Sequence, residues 1–132
     1  MRSWLSRLPG HIFSILTFLA ILWLTLAPKP LGENPPPLFP GADKLAHALM
    51  FGGLAMMILF DRQRKNQWKP VSLKRALWVA TAVALLGIAI EFLQAAMELG
   101  RGFEVSDMVA DIIGSFLFSF IYYGYICRLL TI

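Results

Sequence analysis

Eight residues carry the chemistry open to this chain, and they fall into three short groups. Asp43, Lys44 and His47 form the first, Glu91 and Gln94 the second, and Arg101, Asp107 and Asp111 the third. Carboxylates and imidazole are ligands that Mg, Mn or Zn accept. The candidate metal ligands are Asp43, His47, Glu91, Asp107 and Asp111. A carboxylate or histidine beside such an ion can also act as a general base, and Glu91, His47 and Asp111 are the catalytic candidates. Lys44 and Arg101 would instead meet an anion. No HExxH segment is present, so no single motif holds the chemistry.

Spacing places each group on one side of a helix. Asp43 and His47 are four residues apart, Glu91 and Gln94 three, and Asp107 and Asp111 four. Residues at these intervals share a helical face. Small residues accompany them: Ala42, Ala46 and Gly53, then Gly87, then Ala110 and Gly114. Ala110-x-x-x-Gly114 is a small-xxx-small pattern, which lets helices approach closely. Structural roles stand beside the chemical ones. Asp43, Ser106 or Asp107 can cap a helix, His47 can bond a carbonyl, and Gln94 can tie two helices together. Glu91–Arg101 or Asp111–Lys44 can form a bridge.

The elements that must position these groups are apolar. The chain has 132 residues, 58% hydrophobic and 15% charged, with mean hydropathy +0.65. A soluble domain has roughly 25% charged residues. Apolar runs cover about 12–27, 42–60, 76–97 and 106–127, each near the roughly 20 residues that cross a hydrocarbon core. These predict an all-α membrane protein, a bundle of four transmembrane helices forming one domain over residues 1–132. The first run is read as a span rather than a signal peptide, because Pro28 follows the candidate cleavage point. Residues 28–41 hold six of the eight prolines and predict a stiff outer loop. Residues 61–75 predict a basic cytoplasmic loop. Trp4, Trp23, Trp68 and the tyrosines 122, 123 and 125 suit membrane interfaces.

Basic residues orient the bundle. With both termini in the cytoplasm, nine of the twelve Lys and Arg lie inside. Only Lys44, Lys29 and Arg101 lie outside. His47, Glu91 and Asp111 then sit at a similar depth, roughly 8–10 Å in from the outer face. The net charge of +4 is accounted for by this asymmetry, and no nucleic-acid partner is expected. Cys127 is the single cysteine, so the chain holds no internal disulfide.

The residues resemble the VanZ-like family of small membrane proteins, named for a member associated with teicoplanin resistance. The resemblance lies in Asp43-Lys44-x-x-His47-x-x-x-Phe51, then Glu91-x-x-Gln94, Arg101, and Asp107-x-x-x-Asp111-x-x-Gly114. It covers about residues 42–120. Asp111 departs from the pattern, which usually has asparagine there. The resemblance implies a multi-pass protein of the bacterial inner membrane, linked in some members to reduced glycopeptide susceptibility.

Three functions fit the residues. The first is binding or acting on a lipid-linked precursor of the polyprenyl pyrophosphate type at the outer face. Two helix N-termini, Lys44 and Arg101 would meet its phosphates, and a divalent cation would bridge them to the acids. The second is an intramembrane metal-dependent hydrolase. The third is an ion-coupled transporter with Glu91 and Asp111 as relay groups, which the absence of polar residues in the inner leaflet disfavours. Membrane lipids are the expected partners, and a homo-oligomer is compatible with the short spans.

Overall fold

The computed structural model of the chain describes residues 2–26, 41–97 and 105–131. The proline-rich stretch and Arg101 lie outside the described residues. The elements are α1 (Arg2–Arg7), α2 (Ile12–Leu26), α3 (Ala42–Lys65), α4 (Leu73–Ala96), α5 (Val105–Ile121) and α6 (Cys127–Leu130). A π-helical stretch, Tyr122–Ile126, joins α5 to α6 in one continuous rod. Helices α3, α4 and the α5–α6 rod are each long and apolar enough to cross a membrane, while α2 has only 15 residues. The fold is an all-α bundle of the membrane type. Helix α3 is its centre, packing against α2, α4 and α5.

The bundle is apolar outside and polar within. Trp78, Leu85, Phe92, Ile113 and Leu117 are exposed, whereas Asp61, Arg64, Glu91, Gln94, Asp111, Ser115 and Ser119 are buried. Hydrocarbon offers no hydrogen bonds, so polar groups gather where protein can satisfy them. Hydroxyls at membrane depth turn back on their own helix. Thr17 donates to Phe13 O, Thr25 to Ile21 O and Ser115 to Asp111 O, at 2.6–2.8 Å. Two apolar clusters fill the space between the polar ends, one around Phe51, Leu54, Val83 and Ile90, the other around Leu59, Ala76 and Tyr122.

Helix α3 begins at Gly41, whose φ of 83° is left-handed, with no side-chain cap. Asp43 is therefore inside the first turn and does not cap it. Asp107 likewise lies in the first turn of α5. Helix α4 is capped by Ser72, whose Oγ accepts the Arg75 amide at 3.2 Å.

At the other end, α3 runs on to Lys65, past the apolar stretch ending near Phe60. It does so because its polar residues find buried partners. Asp61 accepts hydrogen bonds from Ser14 N at 2.8 Å, Ser14 Oγ at 2.7 Å and Arg64 Nη2 at 3.0 Å. Arg64 also donates to the carbonyls of Leu5 and Pro9, both at 2.7 Å. The basic stretch 61–75 is thus helix at both ends, and α4 starts at Leu73. Trp68 is buried against Phe60 in an edge contact of 5.7 Å, so it is a packing residue and not an interfacial anchor. Tyr122 is buried too, and its hydroxyl donates to Gln63 Oε1 at 2.6 Å. Tyr125 is exposed, as a belt residue would be.

Candidate metal centre

Three helices deliver the polar groups to one end of the bundle. The first turns of α3 bring Asp43, Lys44 and His47. The first turns of α5 bring Asp107 and Asp111, and the last turns of α4 bring Glu91 and Gln94. Glycines let these helices come close. A Cβ on Gly114 would strike the Ala48 backbone, with Cα 2.7 Å away. A Cβ on Gly87 would lie 2.7 Å from both Cβ and Oδ2 of Asp111. The α3–α5 and α4–α5 contacts therefore depend on the missing side chains at positions 114 and 87.

Within this close packing, His47 Nδ1 lies 2.9 Å from Asp111 Oδ1. A carboxylate can only accept, so Nδ1 would carry a proton, and in the neutral ring Nε2 would then hold the lone pair that a cation needs. Nε2 stands 3.7 Å from Asp107 Oδ2. One ligand atom from each of His47, Glu91 and Asp107 lies within 4.8 Å of the other two. Bonds from a cation to such ligands run about 2.0–2.2 Å, so three ligand atoms spread around one ion would stand roughly 3.5 Å apart. Glu91 and Asp111 are 1% exposed, and the side chains of His47 and Asp107 are 12% and 13% exposed. The group is sheltered but open on one side. His47 is braced by Phe51, whose ring stacks at 6.3 Å and is fully buried.

Lys44 marks the open side. Its Nζ is 2.6 Å from Asp43 Oδ2 and 3.3 Å from Asp107 Oδ1. Asp43 is more than half exposed and lies outside the trio. Gln94 is also apart from the trio. Its Nε2 donates to Thr25 O at 2.6 Å and ties α4 to the end of α2. Of the predicted residues, then, His47, Glu91, Asp107 and Asp111 converge, Lys44 joins them through Asp107, and Asp43 and Gln94 flank them. Arg101 lies outside the described residues.

Asp111 sits behind His47, with its Oδ1 against the ring's Nδ1. Ligating histidines regularly donate their other nitrogen to a carboxylate in this way, which raises ligand basicity.

Sequence reasoning missed the polar cluster of Ser14, Asp61 and Arg64 at the opposite end. Its signal was present: Asp61 is the lone acid among the bases of residues 61–75 and stands three positions before Arg64.

Among the curated proteins and among the solved structures, nothing matches the chain. The VanZ/LLP1 family model matches residues 6–129, and the chain belongs to that family.

Proposed function

We propose that this protein is a divalent-metal-dependent membrane protein that binds, and hydrolyses at its phosphoanhydride, a lipid-linked pyrophosphate at the outer face of the bacterial inner membrane. One observation carries the reading: His47, Glu91 and Asp107 offer ligand atoms within 4.8 Å of one another, with Asp111 behind His47. Three carboxylates would repel a bare pyrophosphate. A cation between them and the phosphate oxygens turns the repulsion into a bridge. Lys44 and the N-termini of α3 and α5 add positive potential at the same end. The apolar exterior beside the site accommodates a polyprenyl chain.

A bound divalent cation would polarise a phosphoryl oxygen and lower the pKa of a ligated water. The residues of the chain have distinct tasks. His47, Glu91 and Asp107 would hold the ion, Asp111 would orient His47, and Lys44 would face the leaving phosphate. Water attacks the terminal phosphorus, the bridging P–O bond breaks, and inorganic phosphate and the lipid monophosphate result. The proton lost by water passes to a carboxylate of the trio. The positive-inside orientation supports an outward-facing site. Membership of the VanZ/LLP1 family motivates a role in glycopeptide susceptibility, teicoplanin in particular.

The deciding experiment uses purified full-length protein. Metal content is measured by elemental analysis, and phosphate release from a polyprenyl pyrophosphate is followed with Mg²⁺, Mn²⁺ or Zn²⁺. Stoichiometric metal with release that EDTA abolishes and Glu91→Gln removes is the expected result. Metal-dependent retention of the lipid without release would reduce the reading to binding. A protein that retains neither metal nor lipid overturns it. A deletion strain tested against teicoplanin addresses the cellular role.

A further inference from the structure

The end of the bundle opposite the candidate metal centre carries a basic concave surface. There, the connection between α3 and α4 folds around a cavity of about 410 Å³. Arg62, Lys65, Lys69 and Arg75 line it, with Asn66 and Ser72 among the polar neighbours. No acidic side chain lines it among the described residues. The nearby acid, Asp61, is fully buried and already bonded to Ser14 and Arg64. All four cations are exposed to solvent and share one concave space with no acidic neighbour among the described residues, so its potential is positive.

The connection is held by specific contacts. Gln67 and Trp68 both adopt left-handed backbone conformations, with φ of 55° and 61°. A bulky residue with positive φ is a genuine outlier and is kept only when its surroundings enforce it. Here the enforcement is visible. Trp68 is 4% exposed, and its amide donates to Gln63 O at 2.8 Å. The Gln63 side chain is in turn held by Tyr122 and by Cys127 O. This strained turn swings the chain back so that Lys69 faces the same cavity as Arg62 and Lys65. The first turn of α4 borders it as well, and the early amides of a helix have no intrahelical acceptor.

We infer that this cavity is an anion site that takes a phosphoryl group, from either a phospholipid headgroup or free phosphate or pyrophosphate. It is independent of the metal centre, since His47 and Lys65 lie roughly 27 Å apart along α3. Four cations suit the charge of a phosphate ester, and Ser72 and Asn66 supply neutral hydrogen-bonding partners.

The test is native mass spectrometry of the full-length protein in detergent, offered phosphatidylglycerol or phosphatidylcholine, with a second arm titrating inorganic pyrophosphate. The variant is Arg62→Gln with Lys69→Gln. The control, Arg7→Gln with Arg128→Gln, removes the same charge from exposed positions outside the cavity. The wild type should retain phosphatidylglycerol over phosphatidylcholine, and the cavity variant should lose about tenfold or more of that retention. Loss confined to the lipid arm assigns a headgroup, and loss in both arms assigns any phosphoryl group. Equal retention by wild type and cavity variant overturns the inference. Equal loss in the control variant also overturns it, because diffuse charge would then suffice. Circular dichroism of both variants checks that the helices persist.

Discussion

His47 on α3 and Asp111 on α5 are 64 residues apart in sequence and 2.9 Å apart in space. Their contact holds the imidazole ring so that Nε2 stands 3.7 Å from Asp107 Oδ2. The position at which the chain departs from the VanZ-like pattern is therefore the one that orients its only histidine in the site. An asparagine there could accept the same proton through its side-chain oxygen, with less charge behind it. Asp111→Asn should keep metal binding with affinity lowered by about tenfold or less, while Asp111→Leu should lose 10–100-fold. Metal titration of the purified variants checks this. Equal affinity in all three proteins would show that Asp111 does not act through His47.

Lys44 lies 3.3 Å from Asp107 Oδ1, so it would compete with a metal for that carboxylate and would attract the phosphates of a ligand. Lys44→Ala should bind metal as tightly as the wild type or tighter. The same variant should retain lipid pyrophosphate several-fold more weakly. A parallel loss of both would place Lys44 in the structural support of the site. Metal titration and native mass spectrometry separate the cases.

Glycines grade the helix contacts. Gly114→Ala drives a methyl into the Ala48 backbone, which cannot step aside, whereas Gly87→Ala meets the Asp111 side chain. Both should destabilise by about 1–3 kcal/mol, with Gly114→Ala the worse. Gly53 has open space around its Cβ position. Gly53→Ala should be neutral or stabilising by up to about 1 kcal/mol. Denaturation in mixed micelles gives the order.

Gln94 serves the fold through its bond to Thr25 O. Gln94→Leu should cost about 0.6–1.5 kcal/mol of stability and leave metal affinity unchanged. A large loss of metal affinity at preserved stability would make Gln94 a ligand instead.

The Asp61–Arg64 pair is completely buried, with Nη2 to Oδ1 at 3.0 Å. Arg64→Leu leaves the Asp61 charge without its strongest partner and should cost about 3–5 kcal/mol. Adding Asp61→Asn should recover part of that, because the two changes remove one shared interaction. A double-mutant cycle in micelles measures the coupling. Metal stoichiometry per folded molecule should stay unchanged at this distance from the site.

The sequence by itself determined the helical membrane class and the grouping of polar residues into facing stripes. It could do so because both are local: hydrophobic run length reports a span, and intervals of three and four report a face. The same locality explains why helix ends near Lys65 and Leu73 were less legible. Asp61, Gln63 and Arg64 read as loop residues in sequence, and only partners from α1, α2 and the α5–α6 rod let α3 carry them into the interior. Trp68 and Tyr122 looked like interfacial residues for the same reason, since a side chain's burial depends on what the rest of the chain places over it.

For the opening groups of carboxylates and imidazole, sequence supplied the members and tertiary structure decided their parts. Along the chain Asp43, His47, Glu91, Asp107 and Asp111 were all candidate ligands. Packing at Gly87 and Gly114 then brought His47, Glu91 and Asp107 into reach of one ion, set Asp111 behind the ring, and turned Gln94 toward α2. Helical periodicity fixes which face a residue occupies. Which neighbour that face meets, and at what distance, is set by how closely the helices can approach, and that exists only in the assembled bundle.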